Sequence, residues 1–117
     1  MTLQEVAQVL EAEVLTGDMN LEAEAASAFA SDLMSDVLAF SGNANILITG
    51  LCNPQIIRTA EMLDYNCVIL ARGKVATEEL AELAKDCSVC LMTSNKLVFS
   101  ICATLSQHGI VGGGKNV

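Results

Sequence analysis

Aromatic residues are scarce in this chain. Three phenylalanines, one tyrosine and no tryptophan make up 3% of its 117 residues. The hydrophobic fraction is nevertheless 52%, so the core must be aliphatic, filled by Ala, Val, Ile, Leu and Met. Cations are also few: six lysines and arginines stand against fourteen acids, a formal charge of −8. That balance argues against a nucleic-acid surface or an anionic-membrane surface, because both need clustered positive charge. Only one histidine is present, and no Ser–His–Asp or Cys–His spacing accompanies it, so no catalytic residue is assigned. The chain opens without a signal peptide yet carries five cysteines, a combination expected of free thiols in a reducing cytoplasm. The longest uncharged run, residues 37–57, holds Ser41, Gly42, three asparagines and Pro54. It reads as helix end, strand and helix start rather than a transmembrane helix.

What is present is enough for one domain, which at this length buries roughly two-thirds of the surface that its unfolded chain exposes. Thr2-Leu3-Gln4-Glu5 is a capping box, and Leu3, Val6, Val9 and Leu10 then mark one face of a short helix. Residues 13–16 form a weak strand ending at Gly17-Asp18. The alanine-rich stretch 24–30 is ambiguous by propensity and is assigned as a strand ending near Ala30. Ser31-Asp32 is expected to cap the following helix, which closes at Ser41-Gly42. Asp32 and Asp36, four residues apart, read as a solvated helix face.

From Asn45 the pattern becomes regular. Strand 46–49 leads through Gly50 and Cys52 to a helix over 54–65, with Asn53 as its N-cap and Pro54 in its first turn. Strand 67–70 leads through Ala71-Arg72-Gly73-Lys74 to a helix capped by Thr77. Strand 89–92 leads through Thr93-Ser94 to a helix with Leu97, Val98, Ile101, Cys102 and Leu105 inward, stopped by Gly109. Consecutive strand–helix units with short loops require right-handed crossovers and parallel neighbours. The expected fold class is therefore α/β: a three-layer α/β/α domain over residues 1–110, with a mainly parallel sheet. Residues 111–117 are expected to be a flexible glycine-rich tail, since they lack the context of a phosphate loop.

Ligands of such sheets bind beyond the carboxyl ends of the strands. Those ends present Thr49, Gly50, Cys52 and Asn53, then Arg72, Gly73 and Lys74, then Thr93, Ser94 and Asn95. With Lys96, Arg72 and Lys74 supply three of the six cations, and the helix starts add free N–H groups. A small anionic ligand, such as a nucleotide, is the expected occupant. His108 falls in the last turn of the final helix, where a cation suits the dipole. Cys87-Ser88-Val89-Cys90 has redox or metal spacing, but a lone pair falls short of the four ligands that zinc requires, so no metal or cofactor is assigned. Cys67, Cys90 and Cys102 fall at apolar positions, whereas Cys52 lies near a helix start that could activate a thiol.

The stretch Ala30-Ser31-Asp32-Leu33-Met34-Ser35-Asp36-Val37-Leu38-Ala39 resembles the serine–aspartate–leucine segment of DRTGG domains, and the same order of elements follows to about Ile110. The family's Asp-Arg pair would fall at Cys52 and Asn53, where neither residue is kept. Of its Thr-Gly-Gly, at Ala71, Arg72 and Gly73, only the last glycine remains. The resemblance implies a non-catalytic regulatory module, with a fold similar to the N-terminal domain of HPr kinase and a tendency to dimerise. Such domains accompany nucleotide-sensing CBS pairs, and short forms resemble proteins encoded near iron-hydrogenase components, which implies a thiol or cluster accessory role as an alternative. The expectation is a cytoplasmic unit that binds an anionic ligand or a protein partner. Its alternatives are a structural homodimerisation unit and a redox accessory protein.

Overall fold

Ile46–Thr49, Cys67–Leu70 and Cys90–Thr93 carry apolar residues without alternation, and all but Thr93 are buried. Such runs belong to strands covered on both faces, as in a parallel sheet between helical layers. The computed structural model describes residues 1–114, in which these runs are β3, β4 and β5. They are preceded by β1 (Glu13–Val14) and β2 (Ser27–Ala30) and followed by β6 (Val111–Gly112). The sheet order is β1-β5-β4-β3-β2-β6. Strands β2 to β5 are parallel, with Ala28, Ile46, Cys67 and Cys90 in one row across the sheet. β6 joins β2 in parallel, and β1 closes the other edge antiparallel to β5.

Alternate residues of each strand feed two cores. Leu47, Val68, Leu70 and Leu91 pack under α2 (Met34–Phe40), α3 (Pro54–Met62) and α4 (Glu78–Asp86). Ile46, Ile48, Ile69 and Met92 pack under α1 (Leu3–Leu10) and α5 (Val98–Gln107). This is the expected α/β/α layering. Local signals set the helix starts: Thr2 and Glu5 form the reciprocal capping box, while Asn53 and Thr77 accept the N–H groups of Ile56 and Leu80. Among the described residues, no helix is long and apolar enough to cross a membrane.

The connections from β2 through β5 all run over one face, while α5 returns across the other to reach β6. The loops after β4 and β5 therefore lead to helices on opposite faces, which makes this stretch of the carboxyl edge the place where sheets of this kind bind ligands. That arrangement positions the candidate site.

Three expectations are corrected. Ser31-Asp32 does not cap α2, whose N-cap is Leu33 and lacks a side-chain cap bond; Ser31 Oγ accepts from the Leu33 N–H, leaving Asp32 to turn elsewhere. Leu97 is not inward: it is the N-cap of α5 and is 61% exposed, because the helix proper begins one residue later. Residues 111–114 are not a free tail. Val111 and Gly112 form β6, and the Gly113 N–H donates to the Ala28 carbonyl at 2.7 Å. A Cβ on Gly113 would lie 2.5 Å from Ala44 Cβ, so only glycine lets the chain pass this close. The remainder of the expected tail, Lys115 to Val117, lies outside the described residues.

Candidate functional site

The carboxyl edge is built around the peptide of Gly50. Thr49, at the end of β3, is fully buried; its hydroxyl donates to Asp32 Oδ1 at 2.9 Å and accepts from the Leu51 N–H at 3.2 Å. The Gly50 N–H donates to the same Asp32 oxygen at 2.6 Å. On the other side, the Gly50 carbonyl accepts from Arg72 Nη2 at 3.2 Å. A Cβ at Gly50 would stand 2.6 Å from that nitrogen, so the glycine makes room for the guanidinium. The bond from the Gly50 N–H holds the Asp32 carboxyl below the usual carboxylate range. Partial burial opposes this, and the Thr49 hydroxyl and the charges of Arg72 and Lys74 reinforce it.

The turns after β4 and β5 are stitched together. Arg72 and Gly73 are consecutive left-handed residues, each with φ of 65°. For arginine that conformation costs on the order of 1 kcal/mol. It is held by the Arg72 N–H donating to the Lys96 carbonyl at 2.9 Å and the Gly73 N–H donating to the Ser94 carbonyl at 2.8 Å. Thr93 Oγ1 donates to the Lys74 carbonyl at 2.8 Å. Asn95 Oδ1 would be 2.7 Å from a Cβ on Gly73, so positive φ and close approach both select glycine there. Cys52 Sγ, 3.7 Å from the Val75 carbonyl, ties the β3 loop to the β4 loop.

All three candidate loops thus meet on one edge, but their residues divide by role. Thr49 is engaged as described, and the Asn53 side chain is occupied by its cap bond. Ser94 is 2% exposed and secured to the scaffold: its hydroxyl donates to the Leu10 carbonyl at 3.1 Å and accepts from the Lys96 N–H at 3.2 Å. Arg72, Lys74 and Asn95 are exposed. Gly73, Lys74, Thr93 and Asn95 line a groove of about 290 Å³ together with Glu13, Leu15, Val75 and Ala76. The residue missed by sequence reasoning is Asp32. Its spacing from Asp36 places it on a helix face, although it follows a strand end that lies beside the end of β3 in register.

The cysteines separate. Cys67 and Cys90 face one another in register in the α1–α5 core, whereas Cys87 packs into the opposite core, so the two ends of Cys87-Ser88-Val89-Cys90 lie on different sides of the sheet. A hydrogen bond to Cys90 and complete burial push the Cys67 thiol well up. Cys102 is only half-buried, not a full core residue. Among the described residues, no three His, Cys, Asp or Glu side chains converge to hold a metal ion. His108 follows α5, with Nδ1 2.9 Å from the Thr104 carbonyl.

No protein-family model matches the chain, and no curated protein matches it. Among solved structures, its fold is similar to that of the CBS and DRTGG domains of the regulatory region of Clostridium perfringens pyrophosphatase, complexed with the activator diadenosine tetraphosphate. The TM-score is 0.71 at 18% identity, over 91% of this chain and 46% of that one. This likeness supports a DRTGG-related fold. The chain spans less than half the length of that structure.

Proposed function

We propose that this chain is a non-catalytic regulatory module of the DRTGG type, acting in the cytoplasm, that binds a small anionic ligand such as a nucleotide. The ligand sits on the edge formed by Arg72, Lys74 and Asn95. One observation carries the reading: in a strongly acidic chain, Arg72, Lys74 and Lys96 come from two neighbouring turns of one edge and stand outside the ion pairs, with Asp32 the carboxylate that the charges of Arg72 and Lys74 reach. Among the described residues the ion pairs are Met1–Glu24 and Glu82–Lys85, and neither involves Arg72, Lys74 or Lys96. Arg72 spends one nitrogen on the Gly50 carbonyl and holds a left-handed backbone. The nucleotide activator named with the similar pyrophosphatase region adds support by analogy of fold.

Thermal-shift measurements with AMP, ADP, ATP and diadenosine tetraphosphate test this. A rise in melting temperature that Arg72→Ala abolishes is expected, and a flat response to all four overturns the reading.

A second reading, a homodimerisation unit, is favoured by a different feature. Between α5 and the β2–β6 edge lies a groove of about 460 Å³, lined by Ala28, Ala30, Ile48, Cys102, Leu105 and Ile110 among others. Val111, which also lines it, is 63% exposed, and Phe99 on the same helix is 82% exposed. Light scattering at micromolar concentration should then report twice the chain mass of 12.3 kDa, and a monomer refutes it.

A further inference from the structure

We infer that Asp32 is the specificity-determining residue of this edge, accepting hydrogen bonds from the hydroxyls of a phosphorylated sugar whose phosphate lies on Arg72 and Lys74. The inference deepens the anion-binding reading above and rests on it.

The turn after a strand of a parallel sheet ordinarily offers its N–H groups to phosphate. Here the first N–H of the turn after β3 is already taken. The Gly50 N–H and the Thr49 hydroxyl both go to Asp32 Oδ1, so an incoming phosphate would meet the chain's own carboxylate. The anionic end of a ligand is turned away from β3 and toward the loop after β4.

Asp32 does not cancel the nearby cations either. Among the described residues it forms no ion pair with Arg72. The two are instead fastened to opposite ends of one residue, the carboxylate to the Gly50 N–H and the guanidinium to the Gly50 carbonyl. Each charge keeps polar atoms for an outside group. Asp32 is exposed, and its Oδ2 has no hydrogen-bond partner among the described residues, nor do Arg72 Nη1 and Nε. The bond from the Gly50 N–H, with the Thr49 hydroxyl behind it, holds the Asp32 carboxyl below the usual carboxylate range.

A fixed carboxylate oxygen accepts from neutral hydroxyls and repels phosphate, while the guanidinium and ammonium nearby do the reverse. The complementary ligand is therefore dipolar in the same sense, anionic at one end and rich in hydroxyl donors at the other. A ribonucleotide has that chemistry; inorganic phosphate has only half of it.

The test uses the full chain and Asp32→Asn in calorimetric titrations with AMP, 2′,3′-dideoxy-AMP and inorganic phosphate. Asparagine can present its oxygen to the Gly50 N–H and the Thr49 hydroxyl, preserving the turn, but it puts an NH₂ donor where Oδ2 accepted. A hydrogen bond to a charged acceptor predicts that the wild type prefers AMP over the dideoxy compound by about ten- to a hundredfold. Asp32→Asn should bring that ratio close to unity while leaving dideoxy-AMP binding in place. Equal binding of AMP and dideoxy-AMP by the wild type, or an unchanged ratio in Asp32→Asn, overturns the role of Asp32 alone. Failure of all three probes to bind the wild type overturns the anion-binding reading together with it.

Discussion

Ser94 provides a sharp way to separate scaffold from site on this edge. By position it stands beside Asn95 at the end of a central strand, yet its hydroxyl is buried and fully used, donating to the Leu10 carbonyl and accepting from the Lys96 N–H. Leu10 is the last residue of α1, and its carbonyl is one of those that a helix end leaves without an internal partner. Ser94→Ala strips that carbonyl of its donor in a place water does not reach, at a cost of about 1–3 kcal/mol. The Lys96 N–H is half-exposed and recovers part of its loss from solvent. A net value of about 2 kcal/mol follows. Unfolding entropy near 2.1 cal/mol/K per residue gives about 0.25 kcal/mol/K for a chain of 117 residues, so the melting temperature should fall by roughly 8 °C. Scanning calorimetry with and without saturating AMP is the assay. The variant should melt early in both conditions, with the ligand-induced rise intact. Normal melting combined with loss of that rise would mean that Ser94 contacts the ligand and that the division of roles drawn here is wrong.

Arg72 should behave in the opposite way. Arg72→Gly removes the guanidinium but relieves a left-handed non-glycine residue, so the ligand response should vanish while the melting temperature stays level or rises by up to about 4 °C. A clear loss of stability would contradict the strain. Gly113→Ala drives a methyl group into Ala44 and should lift β6 from β2 at a cost of roughly 1–3 kcal/mol. Hydrogen exchange should then quicken at the Val111 and Gly113 amides, and unchanged exchange would restore the idea of a free tail. Acid should expose the Asp32 bonds. Its carboxyl titrates lower folded than unfolded, so its contribution is present above the unfolded value of about 3.9 and is lost as pH falls through the lower folded one. The melting temperature of the wild type should thus drop more steeply below about pH 4 than that of Asp32→Asn, by a small margin because the group is exposed. Parallel curves would argue against the Gly50 contact.

Much of this molecule can be read from adjacent residues. Runs such as Ile46-Leu47-Ile48 and Cys67-Val68-Ile69-Leu70 have no polar face to offer water, so they could only be strands between two layers. Thr2, Asn53 and Thr77 announce helix starts because a cap bond spans only three residues. Repetition of the strand–helix unit then decides parallel pairing and brings the loops of Gly50, Arg72 and Asn95 to one edge. Tertiary structure decided what each polar residue on that edge does. Thr49 and Ser94 look as available as Asn95 in sequence, and only the approach of Asp32 and of α1 consumes their hydroxyls. Asp32 could have capped α2; the Gly50 N–H, eighteen positions along the chain, competed for it and won. The glycines at 112–114 look unstructured until Ala28 and Ala44 come alongside to pair with and crowd them. Short-range signals specify elements because their bonds close within a few residues. The fate of a side chain at a strand end depends on partners that only the assembled sheet brings within reach.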